Sequence, residues 1–329
     1  MMDTWLVSCR SSRSLSVFSS EVLIYRPPLE NVCELGEKCP RKNDPIHGDL
    51  YVHSKPYTPK TFRTAVVNRK KKIRIPGVDQ AYVVEDNIEA SEIPSNRVVV
   101  VFVHGFNENI FRVTSHLSHL SKKLPKLESV KSWPLPRGKN VTIPTSVVGF
   151  TWPSNALLGA VTGASRRLRK TLSMLLKRRN NIVLIGHSRG CEVVLNALKR
   201  SKEQRDFVRP IWTTLLVAGA VQQDEMRSDS GSFSPSSLET RRLVVLHSKA
   251  DAILRKAVRF RRSRLIGLHG MPSDDEEHGH NVQVLDMTND VGTAHSMHTY
   301  LQRDPCFFCL LNELETAGSD LLRVVSSRL

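Results

Sequence analysis

The chain has 329 residues, 40% of them hydrophobic and 24% charged, so it is long and apolar enough to bury a full globular core. The longest apolar run, Val98–Val103, is far too short to cross a membrane, and the first residues lack a signal-peptide pattern. These features argue against a membrane-spanning or secreted class. We expect a soluble, cytoplasmic protein, built as one α/β domain with extensions or as two domains.

The formal net charge is +16, and much of the excess is clustered. Such clusters are typical of proteins that bind nucleic acid or anionic membranes. No aromatic residues alternate with these basic runs, and no recognisable nucleic-acid module accompanies them, so we favour ordinary solvated surface over nucleic-acid binding. The basic runs are Arg69–Arg74, Arg166–Lys170, Lys177–Arg179 and Arg255–Arg264.

Six cysteines in a chain of this length do not indicate a disulfide framework. The segment Cys306–Cys309 (CFFC) has the spacing of a redox or zinc motif. However, it opens an apolar helix with Asp304 at the N-cap and Pro305 at the first position. We therefore interpret these thiols as core residues, with zinc shared with Cys33 and Cys39 as the alternative.

No motif for a bound cofactor stands out. No strand is followed by a G-x-G-x-x-G or Walker pattern, which would bind a nucleotide. The segment Asp274–His280 (DDEEHGH) contains side chains that can bind metal, but its charge density favours a solvated loop. We expect neither a cofactor nor a metal.

The first 95 residues form the least regular part of the chain. Short strands are predicted at Thr4–Cys9 and Asp49–Val52. A hairpin is predicted around Pro76-Gly77, between Ile73–Arg74 and Ala81–Glu85. We interpret residues 1–95 as an N-terminal extension, either antiparallel edge strands of the main sheet or a partly ordered segment. The principal domain then occupies residues 96–329.

Regular alternation of strands and helices begins at Arg97. This alternation predicts an α/β fold: a doubly wound, mostly parallel sheet with helices on both faces. Binding sites in such sheets gather at the carboxyl ends of the strands. A final helix from Pro305 is expected to be interrupted at Gly318. The predicted strands are Val98–Val103, Ser146–Phe150, Ile182–Ile185, Ile211–Gly219, Arg242–Leu246 and Val282–Asp286, and the main predicted helices are Ile110–Leu124 and Ala164–Lys177.

The segment Asn181–Arg200 organises the rest of the chain. A buried strand, Ile182–Ile185, runs into Gly186–Gly190 (GHSRG), and an amphipathic helix follows at once. A strand, a G-x-S-x-G pattern and a helix in this order form a nucleophile elbow. The alternative is a serine in an ordinary turn between a strand and a helix. The correct flanks favour Ser188 as the nucleophile.

A serine hydroxyl needs a base to accept its proton and an acid to orient that base. Asp224 and Asp251 both follow strands downstream of Ser188, and we favour Asp251, which follows the second strand after the elbow. Its alternative role is the N-cap of a helix. His295 and His298 follow the last strand and are the candidate bases. We prefer His298, because an apolar helix follows it.

Two backbone amides are candidates for an oxyanion hole. One belongs to Arg189 at the elbow, and we expect the other to be that of Phe106, in the loop that begins with His104-Gly105 after Val98–Val103. Arg189 is an unusual residue after the serine; it either pairs with a carboxylate at the helix start or favours an anionic substrate. His187 is interpreted as a packing residue.

Several ordered motifs resemble the α/β-hydrolase superfamily over Arg97–Leu314. They read VVVVFVHGFN, FTWPS, LIGHSRG, HSKAD and HTYL. The pattern is similar to a poorly characterised, mostly bacterial group with HG[FY]N, WPS and G-H-S-x-G motifs. The resemblance implies an α/β-hydrolase fold with Ser188 as nucleophile, His298 as base and Asp251 as acid. It also implies an oxyanion hole near Phe106 and Arg189, and a pocket bounded by His104, Gly105 and Trp152.

We therefore expect a serine hydrolase that cleaves carboxylic ester, thioester or amide bonds in a small-molecule substrate. The reaction would pass through an acyl-enzyme on Ser188. The alternative is a non-catalytic protein on a hydrolase fold that binds nucleic acid or anionic surfaces through its basic faces, since a fold does not fix a function.

Overall fold

In the computed structural model, residues 3–8, 22–25, 73–75, 78–84, 95–106, 108, 116, 133–134, 140–141, 145–152, 154, 160–261, 263–272 and 281–326 are described. The predicted strand Asp49–Val52, the acidic segment Asp274–His280, and Cys33 and Cys39 lie outside these residues. The predicted helix Ile110–Leu124 also lies outside them, apart from His116, which is helical.

A ten-stranded sheet, in the order β12-β11-β10-β9-β5-β8-β1-β2-β4-β3, forms the centre of the described part of the chain. Neighbouring strands from β12 to β1 are all parallel. The predicted doubly wound, mostly parallel sheet is confirmed. The strands of this sheet are β1 (Asp3–Ser8), β2 (Val22–Tyr25), β3 (Ile73–Ile75), β4 (Val78–Val84), β5 (Val98–Val103), β8 (Thr145–Thr151), β9 (Asn181–His187), β10 (Ile211–Val217), β11 (Thr240–His247) and β12 (Val282–Asp286), and a separate ribbon pairs β6 (Trp133–Pro134) with β7 (Asn140–Val141).

Strands from the first 95 residues extend one edge of the sheet. β1 pairs in parallel with β8, whereas β2, β4 and β3 follow as an antiparallel array. The described strands of this segment therefore belong to the main sheet, and the division of the chain at residue 95 stays a prediction. The hairpin around Pro76-Gly77 corresponds to β3 and β4.

Helices cover both faces of the sheet. The alternation of side chains along β5 shows that the sheet separates two core clusters. Val99, Val101 and Val103 belong to one cluster, and Val98, Val100 and Phe102 belong to the other. The first cluster is covered mainly by α1 and α2, the second mainly by α6 and α7. The helices are α1 (Ala160–Lys177), α2 (Gly190–Gln204), α3 (Ala252–Arg261), α4 (Ile266–His269), α5 (Thr288–Val291), α6 (Met297–Gln302) and α7 (Asp304–Ser326).

The last helix, α7, is continuous through Gly318, so the predicted interruption was wrong. A glycine inside a helix costs about 1 kcal/mol relative to alanine. Tertiary contacts on both sides of Gly318 outweigh that preference. Before Gly318, Asn181 donates from Nδ2 to the carbonyl of Ala317, at 2.6 Å, and Arg242 forms a 2.8 Å ion pair with Glu313. After it, the same Nδ2 lies 3.3 Å from Oδ2 of Asp320. These contacts fix the helix against the sheet.

The two thiols of the CFFC segment lie on α7. Cys306 is fully buried and Cys309 is partly buried, and both pack with the core cluster under this helix. Burial raises the pKa of Cys309 to about 11, so its thiol stays protonated at neutral pH. Within the described residues, no helix has the length and apolar character that a membrane span requires.

Two phenylalanines offer a matched test of the core. Phe150 on β8 is fully buried, whereas the side chain of Phe308 on α7 is 61% exposed. We expect Phe150→Ala to lower the free energy of unfolding by about 3–5 kcal/mol, since it removes buried surface and leaves a cavity. Phe308→Ala should change it by less than about 1 kcal/mol. Urea unfolding measures both; equal effects would contradict this assignment of the core.

Candidate active site

Ser188 occupies a strained turn between β9 and α2. Its φ angle is +53°, in the left-handed region that costs a non-glycine residue about 1–3 kcal/mol. Two backbone hydrogen bonds hold the turn: Ser188 donates to the carbonyl of Val217, at 2.9 Å, and its own carbonyl accepts from Ala220, at 3.1 Å. This is the geometry of a nucleophile elbow, which the sequence predicted.

The glycines on either side of Ser188 are needed for close approach of the backbone. A Cβ atom at Gly190 would lie 2.5 Å from the carbonyl oxygens of Val103 and His104, at the end of β5. At Gly186 it would lie 3.0 Å from the Cα of Cys191, in the first turn of α2. A third glycine, Gly105, brings the loop after β5 to the elbow, since a Cβ there would lie 2.8 Å from that of Ser188.

A continuous chain of hydrogen bonds joins Ser188 to a histidine and a carboxylate. The Oγ of Ser188 is 2.9 Å from Nε2 of His295, and Nδ1 of His295 is 2.7 Å from Oδ2 of Asp251. Because a carboxylate only accepts, Nδ1 of His295 carries a hydrogen. In the neutral ring Nε2 then has a free lone pair aimed at the hydroxyl. This is the arrangement of a serine nucleophile with its base and acid.

Asp251 serves two structural purposes at once. Its Oδ1 accepts hydrogen bonds from the backbone amides of Ile253 and Leu254, at 3.0 and 2.9 Å, which caps the N-terminus of α3. Its Oδ2 holds His295, and the side chain is fully buried. The two roles that the sequence offered as alternatives are therefore compatible, because each carboxylate oxygen has a different partner.

His298, the preferred base, does not face Ser188; the structure places the alternate, His295, there. The reason is the phase of α6, whose buried residues are Met297, Tyr300 and Leu301. His298 therefore projects from another face, where its Nε2 is 2.7 Å from Nε2 of Gln302, one turn later. His295 lies in the loop before α6, which can approach the elbow.

The alternate acid, Asp224, is also outside the hydrogen-bonded chain. It lies exposed in a short 3₁₀ turn, Gln223–Met226, whose neighbours Gln223 and Met226 are buried. The structure thus brings together Ser188, Asp251 and His295 from the sequence-based candidates.

The motifs around His104 and Trp152 fix each other beside the elbow. The backbone amide of Trp152 donates to Nε2 of His104, at 3.1 Å, and its indole donates to the His104 carbonyl, at 2.9 Å. Since Nε2 accepts, the ring hydrogen lies on Nδ1, which is 2.9 Å from the carbonyl of Gly105. Both side chains are fully buried. They fix the loop that carries Phe106, and the pocket bounded by His104, Gly105 and Trp152 stays a prediction.

The predicted oxyanion donors lie at the expected positions along the chain. Arg189 directly precedes α2, and the first amides of a helix have no partner within that helix. Phe106 follows Gly105 in the loop that touches Ser188, and its side chain is 55% exposed. The assignment of these two amides to an oxyanion hole stays a prediction.

The Arg189 side chain adopts the first of the two roles left open for it. Its Nε is 3.6 Å from a carboxylate oxygen of Glu192, one turn into α2. Its guanidinium also lies 5.9 Å from the ring centres of both Phe106 and Trp152. The cation therefore joins the elbow to the two loops beside it.

Sequence reasoning missed a buried carboxylate next to the elbow. Oε1 of Glu108 is 3.3 Å from Nδ1 of His187, and Oε2 is 3.7 Å from Nε2 of His116. The other ring nitrogen of His187 lies 2.7 Å from the backbone carbonyl of His295. A short segment after HGF carries no periodic pattern, so only the position of Glu108 just after the His104-Gly105 turn could have indicated this role.

The environment of Glu108 keeps it ionised. Burial alone would raise its pKa, but the interactions with the neighbouring rings of His187 and His116 together lower it, from 4.5 to about 2. The carboxylate is therefore negative throughout the physiological range. Within the described residues, no group of three or more His, Cys, Asp or Glu side chains is arranged to hold a metal ion.

Residues 82–312, more than two thirds of the chain, match the family described as "Alpha/beta hydrolase of unknown function (DUF900)". A comparison with curated protein sequences finds no match. Among solved structures, carboxyl esterase 2 of the mycorrhizal fungus Tuber melanosporum is 12% identical, with a TM-score of 0.37, over 84% of this chain and 98% of its own.

Two further solved structures have similar scores. A putative cell surface hydrolase of Lactobacillus plantarum WCFS1 is 14% identical, with a TM-score of 0.31, over 48% of this chain and 70% of its own. An arylesterase is also 14% identical with a TM-score of 0.31, over 74% of this chain and 89% of its own. At such identities and TM-scores these likenesses carry no argument about activity.

The two roles of Asp251 can be separated by substitution. Asn can still accept the amide hydrogen bonds that cap α3, whereas Ala cannot. We expect Asp251→Ala to be less stable than Asp251→Asn by about 1 kcal/mol, the usual cost of losing an N-cap. Urea unfolding of the two variants measures the difference. Equal stabilities would contradict a capping role.

The lowered pKa of Glu108 makes a contribution to stability that depends on pH. A carboxylate whose pKa falls on folding stabilises the protein fully above its unfolded value of 4.5 and loses that contribution as the pH falls towards 2. Glu108→Gln cannot titrate. The excess free energy of unfolding of the wild type over this variant should therefore shrink between those two values. An excess that is constant with pH in urea titrations would refute the ionised Glu108.

Proposed function

The chain belongs to the family described as "Alpha/beta hydrolase of unknown function (DUF900)", and we propose that it is a serine hydrolase that cleaves carboxylic ester bonds. The hydrogen-bonded chain from Ser188 through His295 to Asp251 is the observation that supports the proposal. Its distances of 2.9 and 2.7 Å already fit proton transfer from the hydroxyl to the imidazole. The strained φ of Ser188 supports it further, because such strain collects at functional sites.

In the proposed reaction, the Oγ of Ser188 attacks the carbonyl carbon of the ester while Nε2 of His295 takes its proton. The carbonyl electron pair moves to oxygen, where backbone amides near Phe106 and Arg189 stabilise it. The intermediate collapses, and the leaving alkoxide takes the proton from His295. Asp251 stabilises the imidazolium that exists between these two proton transfers.

A water molecule then reverses the sequence. It gives a proton to His295, attacks the acyl carbonyl and releases the carboxylic acid, and Ser188 recovers its proton from His295. The same groups would cleave a thioester or an amide. A small-molecule ester is the substrate class we propose; Gly105, in the loop that His104 and Trp152 brace, lies against Ser188.

A fluorophosphonate probe tests whether Ser188 is activated. We expect the wild-type protein to be labelled, and Ser188→Ala to lose labelling completely, since the probe forms its bond with that oxygen. Intact-protein and peptide mass spectrometry locates the adduct. A folded wild type that stays unlabelled would contradict the enzyme and favour the alternative, a binding protein on the same fold.

The two late histidines provide a matched pair of variants. His295→Ala should lower kcat/KM for p-nitrophenyl acetate by about 10⁴-fold or more, as loss of a general base does in serine hydrolases. His298→Ala should stay within about threefold of wild type, because its side chain contacts Gln302 rather than Ser188. The reverse order of effects would show that His298 is the base after all.

A further inference from the structure

A second histidine–carboxylate pair lies beside the chain of groups used in the proposed reaction. His187 immediately precedes Ser188 on β9, and its side chain is 3% exposed. Nε2 of His187 is 2.7 Å from the backbone carbonyl of His295, and Nδ1 is 3.3 Å from Oε1 of Glu108. His187 therefore connects the loop after β5 with the loop that carries His295.

The partners of His187 fix the orientation of its ring. A carbonyl oxygen only accepts hydrogen bonds, so Nε2 must carry a hydrogen to make the 2.7 Å contact. Nδ1 faces the Glu108 carboxylate, whose Oε1 is 3.3 Å away. His187 therefore donates to the main chain of His295 through Nε2 and contacts Glu108 through Nδ1.

Other charged and titratable groups surround this pair. His116 faces the second oxygen of Glu108 at 3.7 Å, and His104 is the other histidine near this carboxylate. The ring of His295 is 5.1 Å from that of His187, centre to centre, with Asp251 on its far side.

The contact between His187 and the His295 carbonyl matters because His187 directly precedes Ser188 in the chain. Its backbone is continuous with that of Ser188, so a bond from its ring to the main chain of His295 ties base and nucleophile together. His295 itself lies in a loop between α5 and α6, outside regular structure. A displacement of about 1 Å between reacting groups can cost on the order of a hundredfold in rate. A tether at this point limits that displacement.

We propose that His187, in contact with Glu108, is a positioning residue that fixes His295 through its backbone carbonyl. This inference rests on the proposed function, in which His295 is the base. It assigns a role to the histidine of the G-H-S-R-G segment, which the sequence analysis interpreted as packing, and to Glu108, which that analysis did not single out.

Two amide substitutions separate the contacts of His187. The amide nitrogen of Gln reaches the position of Nε2 and can donate to the His295 carbonyl, whereas that of Asn reaches only the position of Nδ1. We expect His187→Asn to lower kcat/KM for p-nitrophenyl acetate by about tenfold to a hundredfold, mainly through kcat, because His187 is not assigned a contact with the substrate. His187→Gln should recover most of that loss. Equal losses in both variants, or none in His187→Asn, would overturn the proposal.

Nitrogen NMR of the protein with ¹⁵N-labelled histidine tests this contact without any substrate. Nε2 of His187 should carry a hydrogen in the wild type, because the His295 carbonyl can only accept. The signals that disappear in His187→Gln identify the residue. An Nε2 without a hydrogen would overturn the contact.

The two measurements also separate this inference from the proposed function. If Ser188 resists the fluorophosphonate while Nε2 of His187 carries a hydrogen, the proposed function fails, and the positioning role fails with it, although the contact between His187 and the His295 carbonyl stands. If Ser188 is labelled and His187→Asn reacts as fast as the wild type, the serine hydrolase stands and the positioning role is wrong.

Discussion

The left-handed backbone at Ser188 is the constraint on which the rest of the structure depends. An α-helix must begin directly after a buried strand, and this leaves no room for side chains at Gly186 and Gly190. The fold supplies the free energy for this turn through hydrogen bonds to Val217 and Ala220 and through two buried core clusters. As a result of this turn, the Ser188 hydroxyl lies at the carboxyl edge of the sheet, where loops from several strands meet.

These loops are fixed in pairs rather than singly. His104 and Trp152 lock the loops after β5 and β8 to each other, and Asp251 joins the start of α3 to His295. His187 adds a contact between the elbow strand and the His295 loop. Each polar side chain with two partners thus positions one loop by means of another, and the groups around Ser188 form one connected unit.

Local patterns in the sequence were sufficient to predict the sheet, the elbow and the positions of Ser188 and Asp251, because buried strands and glycine-flanked turns have strong signals. The choice between His295 and His298 depended on the phase of a six-residue helix, which is too short for its periodicity to be read. Contacts between distant segments account for the remaining differences. The continuity of α7 through Gly318 and the position of Glu108 both depend on partners far away in the chain.

The central claim is that Ser188 forms a covalent acyl intermediate with the help of His295. Rapid mixing of the protein with p-nitrophenyl acetate, followed by acid quench and peptide mass spectrometry, tests it most directly. The account predicts a burst of p-nitrophenol and an acetyl group on the peptide that contains Ser188, both absent in His295→Ala. Turnover without an acetylated Ser188, or acetylation that is unchanged in His295→Ala, would contradict it.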